Sequence, residues 1–217
     1  MDVIDLQNLG ALIDQVLVAL SVITGLFALN SRRLLIVPLA LQYVLAASLI
    51  SSSIGAPLYA IRLTLGLATS AIIYITASRM ASLPGHSAQL RTATQGADAR
   101  VPQMGPVYRL VGLALAALLA YGLWSGGAIP QVTPAVSLTA LWLGAIGACM
   151  IIMGTDPLRA GIGLLVCASG FLTLYLSVES SLLVVALAGL VDIIIALAVA
   201  YISEIWLEAA APESTVL

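Results

Sequence analysis

The chain has 217 residues, of which 61% are hydrophobic and only 8% charged, with a mean hydropathy of +1.12 and a formal charge of −2. A soluble domain carries about 25% charged residues, so water is excluded as the solvent for most of this surface. All eight basic residues are arginine and none falls in a basic, aromatic-interleaved patch, which excludes a nucleic-acid-binding module.

The first residues, Met1-Asp2-Val3-Ile4-Asp5, are acidic and lack the basic region of a signal peptide, so the first apolar segment is expected to be retained. Apolar windows long enough to cross about 30 Å of hydrocarbon run over 9–29, 34–54, 57–78, 107–124, 135–153, 158–177 and 182–203. Lipid offers no partner for backbone N–H and C=O groups, and the alternating pattern of a barrel strand is missing. The fold class is therefore all-α, a polytopic transmembrane bundle of about seven helices. The breaks carry turn chemistry at Asn30-Ser31-Arg32-Arg33, Gly55-Ala56-Pro57, Gly126-Gly127 and Gly154-Thr155-Asp156-Pro157. In the last of these, Asp156 reads as a helix N-cap with Pro157 at the first helical position.

Arginine placement orients the bundle. Arg32 and Arg33 follow the first span; Arg79, Arg91, Arg100 and Arg109 fall in or beside the loop after the third; Arg159 follows the fifth. Only Arg62 lies toward the opposite side. This bias predicts an outside N-terminus, an inside C-terminus and an odd number of spans. Four segments follow: an N-terminal three-helix group (1–79), a cytoplasmic loop (80–106), a C-terminal four-helix group (107–207) and a short acidic tail (208–217) carrying Glu213.

Small residues at four-residue spacing, Gly112/Ala116/Ala120 and Ala140/Gly144/Ala148, together with Gly163/Cys167/Gly170, predict close helix packing and nothing more. Pro38 and Gln42 suggest a kink in the second span with a polar group nearby. Cys149 and Cys167 sit in apolar runs and read as packing residues. No Cys/His cluster with metal-ligand spacing is visible, and His86 is the only histidine. No nucleophile–base set appears either, so neither enzyme chemistry nor a cofactor or metal is expected from this chain alone.

Asp192 stands apart. It lies about ten residues into the last span, hence roughly 15 Å deep, near the expected midplane. A carboxylate there costs on the order of 2.5–3.5 kcal/mol and is functional by default. Gly189, Asp192, Ala196, Ala200 and Ser203 share one helix face, with Leu190, Ile194, Leu197 and Tyr201 opposite, so Asp192 is expected to look inward. It is the proton-path candidate; the alternative is a neutral, hydrogen-bonded acid fixing helix contacts. Arg62, about 7–8 Å inside the third span, is expected to snorkel outward or to pair with Asp14 or Glu179 as polar support. Such a pair would set register more than stability.

The order of the back half is that of a known group. A helix rich in small residues (Leu143-Gly144-Ala145-Ile146-Gly147) leads through Asp156-Pro157-Leu158-Arg159 to a glycine-rich helix. A last helix follows with one acid, Leu190-Val191-Asp192-Ile193-Ile194-Ile195-Ala196-Leu197-Ala198. This resembles the three-helix NuoK/MrpC-type subunits of complex I and of multisubunit cation/proton antiporters. With the front segments Ser31-Arg32-Arg33-Leu34 and Ile73-Tyr74-Ile75-Thr76-Ala77-Ser78-Arg79, the layout is similar to the hydrogenase-4 component E (HyfE-like) family of group 4 membrane hydrogenases. The resemblance implies a non-catalytic subunit in the inner (cytoplasmic) membrane of a cell, partnered by antiporter-like and NuoH-like membrane-arm subunits, with Asp192 in a buried polar path for protons or other cations. It departs from the NuoK pattern at Leu164-Leu165-Val166-Cys167-Ala168, which holds no second acid. The rival expectations are a small secondary transporter and a purely structural subunit of a respiratory or photosynthetic complex.

Overall fold

The computed structural model describes residues 36–82, 106–127, 132–154, 156–179 and 181–209. All elements among these residues are α-helices: α1 (Ile36–Ser82), α2 (Pro106–Ser125), α3 (Pro134–Met153), α4 (Pro157–Val178) and α5 (Leu182–Ala209). Four stretches are long and apolar enough to cross a membrane: Pro57–Met80, Pro134–Met153, Pro157–Val178 and Leu182–Trp206. They coincide with four of the predicted spans. Shorter apolar stretches, Val37–Leu49 and Leu110–Ser125, fall in the predicted second and fourth. The predicted first span with Asp14, the arginines at 32 and 33, most of the 80–106 loop with His86, and the acidic tail beyond residue 209 lie outside the described residues.

The expected break at Gly55-Ala56-Pro57 does not end a helix: α1 runs through it as one helical segment with Pro57 inside. Yet α1 is not a straight rod. Tyr43 and Gly66 would be about 34 Å apart along a straight helix, at 1.5 Å per residue. Instead, a Cβ at Gly66 would lie 2.8 Å from the Tyr43 ring, so the two residues are in contact. The chain doubles back between the arms 37–49 and 57–80. Proline is the residue that permits this, because it removes one helical hydrogen bond and its ring crowds the preceding turn. Pro38 lies at the edge of the described part of α1, and the kink expected around it is not described.

The helices after α1 form successive antiparallel neighbours. Asp156 caps α4 as its sequence predicts, its carboxylate accepting the Arg159 backbone N–H at 2.9 Å with Pro157 behind it. The tightest contact is α3 on α4, made backbone to backbone. A Cβ at Gly147 would strike the backbone of Cys167 and Gly163, and one at Gly170 would lie 2.7 Å from the Ala140 carbonyl. Glycine is required there because nothing on the other side can yield. The stripe expected on α3 is therefore only partly a contact face: Gly144 has open space where its Cβ would be, and it borders an apolar groove with Ala148.

Helix α5 lies chiefly against α1, and also against α4. The pairs Leu65–Gly189 and Arg79–Glu204 show that the second arm of α1 and α5 run parallel in nearly constant register. Two parallel helices joined by α2, α3 and α4 are what four alternating crossings produce. On α5 Gly189, Asp192, Ala196 and Ser203 are buried and Leu190, Ile194, Leu197 and Tyr201 exposed, as the face division read from the sequence has it, except that Val199 is buried where Ala200 was expected and Ala200 is only half-buried. The core itself joins the two halves of the chain, with Leu39, Ile73, Ile146, Leu158, Leu165 and Ala196 in one cluster.

Candidate functional site

Where α1 meets α5, Arg62 Nη1 donates to Asp192 Oδ2 at 3.1 Å. Both side chains are buried, 2% and 1% exposed. The pair joins residues 130 positions apart and ties the front of the chain to the back. Arg62 thus neither snorkels outward nor pairs with Glu179, which is exposed at the C-cap of α4; Asp14 lies outside the described residues. The reason lies in charge: once a carboxylate is buried within reach, an arginine that leaves for water strands it, at several kcal/mol.

Arg62 must reach for its partner. The Leu65–Gly189 register sets the Cα of Arg62 beside residues 186–187 of α5, about a turn and a half short of Asp192. Its side chain extends along that distance, toward the level of Gly66. There the guanidinium carbon stands 5.7 Å from the centroid of the Tyr43 ring, within cation–π range. Gly66 makes room for the ring, and the fold-back of α1 delivers it. Three helical segments hence supply one cluster: Tyr43 from the first arm of α1, Arg62 from the second, Asp192 from α5.

Several polar atoms around the cluster are buried without a hydrogen-bond partner among the described residues. These are Asp192 Oδ1, Arg62 Nη2, the Tyr43 hydroxyl and both amide atoms of Gln42 next to it in sequence; Ser169 Oγ on α4 and Ser203 Oγ, about three turns beyond Asp192 on α5, are likewise unmatched. Native interiors rarely leave such groups unmatched, so an accumulation of them marks a place where water, a proton or another molecule belongs. By contrast, the buried hydroxyls of Thr69, Ser70 and Thr76 on α1 donate to carbonyls one turn back in their own helix. They contribute little beyond helix satisfaction. Gln42, the polar group expected in the second span, is buried next to Tyr43 in sequence.

Asp192 also lines a cavity of about 320 Å³ between α4 and α5, walled by Ala168, Phe171, Leu172 and Tyr175 of α4 and by Val184, Leu187, Ala188 and Val191 of α5. No group of three or more His, Cys, Asp or Glu side chains is gathered among the described residues. The cluster itself brings together one carboxylate, one guanidinium and one phenol, groups able to form hydrogen bonds and, for the acid, to exchange a proton.

The Arg62–Asp192 pairing was not legible in advance, though both residues were. Helix spacing gave the inward face of Asp192, but the partner depended on the register of two helices far apart in sequence. The one available signal was that a single buried acid and a single misplaced arginine are cheaper together than apart.

Fold and site together define an all-helical protein of membrane type whose core is crossed by a buried arginine–aspartate pair. The chain matches no protein-family model, no curated protein and no solved structure.

Proposed function

We propose that this chain is a non-catalytic integral subunit of a complex I-like or group 4 hydrogenase-type redox assembly in the inner membrane. It has seven spans, with the N-terminus outside and the C-terminus inside. The Arg62–Asp192 pair is its proton-handling station, and electron transfer takes place on partner subunits. The observation that carries this reading is the pair itself: an ionisable couple buried to 2% and 1% exposure with an unmatched oxygen on the acid. Ionisable groups at membrane depth mark proton and ion paths by default.

In this reading a proton arriving at Asp192 Oδ1 forms an O–H bond and removes the negative charge that holds Arg62. The guanidinium then keeps only the face of Tyr43, and the two helices hold a net positive charge until the proton passes on. One carboxylate cannot bridge about 30 Å of hydrocarbon, so neighbouring subunits supply the remaining stations. That scarcity also argues against an autonomous transporter, which would need a path of its own through the bundle.

A second reading has its own observation. The hydrogen bond and the ring contact together pin Arg62, so the pair also suits a register lock between α1 and α5. Exchange of Asp192 for Asn in the native complex separates the two. Assembly is read on a native gel, and proton translocation per electron in sealed vesicles. Intact assembly with lost or reduced pumping is the expected result; intact assembly with unchanged pumping leaves only the lock.

A further inference from the structure

The cavity beside Asp192 has walls of the wrong chemistry for a water path. Phe171, Tyr175, Leu187 and Val191 are 65%, 44%, 57% and 45% exposed, so its mouth lies on the outer apolar surface between α4 and α5. Phe171 and Tyr175 stack at 6.1 Å along one wall. A resident water needs two to four polar partners, and these walls offer little beyond the Tyr175 hydroxyl and the Asp192 carboxylate. The entrant must therefore be soluble in the apolar phase.

The floor adds a polar requirement. Asp192 is 1% exposed, and its Oδ1 has no hydrogen-bond partner among the described residues. Oδ2 is already engaged by Arg62, which balances the charge. A cation would place a second positive charge beside the guanidinium, and an anion would face the carboxylate. A neutral O–H or N–H donor meets the need at no electrostatic cost. The volume, about 320 Å³, is at the small end of ligand pockets.

We infer that the α4–α5 groove is an intramembrane binding site for a small, neutral, lipophilic hydrogen-bond donor of the alcohol or phenol class, held by Asp192 at its polar end and by Phe171 and Tyr175 along its length. The ligand enters sideways from the lipid. This site rests on the same carboxylate as the proton station but not on any pumping.

The test uses the full chain in nanodiscs, photolabelled with a diazirine-bearing alkanol and mapped by mass spectrometry. Saturable labelling of the segments around Phe171, Leu187 and Val191 is expected, with octanol displacing the label at least ten-fold better than octane. The exposed Leu187→Trp exchange, which fills the mouth, should reduce labelling several-fold while leaving the fold intact. Labelling that never saturates, equal displacement by octane, or indifference to Leu187→Trp each overturns the site. Loss of the proton reading is seen separately: Asp192→Asn, which keeps an acceptor oxygen, would spare pumping while alkanol labelling persists.

Discussion

The Cα of Arg62 lies about a turn and a half short of Asp192 along two parallel helices, and the arginine side chain extends inward across that distance to meet the acid at 3.1 Å. A cation drawn deeper into an apolar interior has given up its hydration for one carboxylate and one aromatic face. The arrangement makes each member of the cluster answerable for the others, and that interdependence can be measured.

Removing one charge should cost more than removing both. Arg62→Leu leaves a buried, uncompensated carboxylate and is expected to destabilise the protein by about 3–5 kcal/mol, as is Asp192→Leu for the stranded guanidinium. The double exchange Arg62→Leu/Asp192→Leu should be milder than either single one, with a coupling well above 1 kcal/mol. Thermal unfolding in detergent, followed by the reactivity of the partly buried Cys149 and Cys167, reads this directly. Additive effects would mean that the two charges do not sense each other.

The close approach of α3 and α4 yields a paired test. Gly147→Val drives a side chain into the backbone of Cys167 and Gly163 and should cost about 1–3 kcal/mol or more, with the helices forced apart. Gly144→Ala, three residues away, meets nothing within 4 Å and should unfold at the wild-type temperature. Equal sensitivity at both positions would contradict the helix rotation described here.

The contrast between those glycines shows what a sequence carries and where it stops. Spans, breaks and caps follow from hydropathy and local chemistry, which is why Asp156-Pro157 and the buried face of α5 were readable residue by residue. Spacing named Ala140, Gly144 and Ala148 as a contact stripe, and the backbones of Ala140 and Gly144 do meet Gly170, but Gly147 makes the closest approach, because rotation of α3 about its axis is fixed by its neighbours. The fold-back of α1 follows the same rule. Pro57 marked the place, but local chemistry does not tell whether the helix ends there or runs on while the chain turns back to set Tyr43 against Gly66. Arg62 was misread for a related reason: depth along one helix is legible, while register between helices 130 positions apart is not.

The cap of α4 should behave as a local device. Asp156→Ala removes the acceptor for the Arg159 N–H and should cost about 0.5–2 kcal/mol, while Asp156→Asn or Asp156→Ser should recover most of it. Because α4 forms a wall of the Asp192 cavity only from Ala168 onward, three turns later, alkanol labelling should be unchanged in all three variants at temperatures well below unfolding. Hydrogen exchange at the first turn of α4 is the direct readout; a cap that matters would show faster exchange there alone.

The proposed topology makes a prediction independent of the site. With arginine concentrated on one side, reporter fusions after Leu217 and within the 80–106 loop should both report the cytoplasm, and cysteines placed near residue 128 or 180 should react with impermeant reagents from outside. Opposite locations for the two fusions would rule out the parallel arrangement of α5 with the second arm of α1.

The aromatic partner of Arg62 can be tested without touching a charge. Tyr43→Phe keeps the ring and removes a hydroxyl that is buried without a partner among the described residues, so stability should hold or rise slightly. Tyr43→Leu keeps much of the volume but loses the ring face, and should cost about 1–2 kcal/mol. Gly66→Val reaches the same end from the opposite helix arm, since its side chain would displace the ring that now lies 2.8 Å from an imagined Cβ. If the cluster works as a unit, Tyr43→Leu and Gly66→Val should weaken pumping in the native complex together, with Tyr43→Phe unaffected. Loss of pumping in Tyr43→Phe would instead place the hydroxyl on the proton path, and would extend the relay from Asp192 into the first arm of α1.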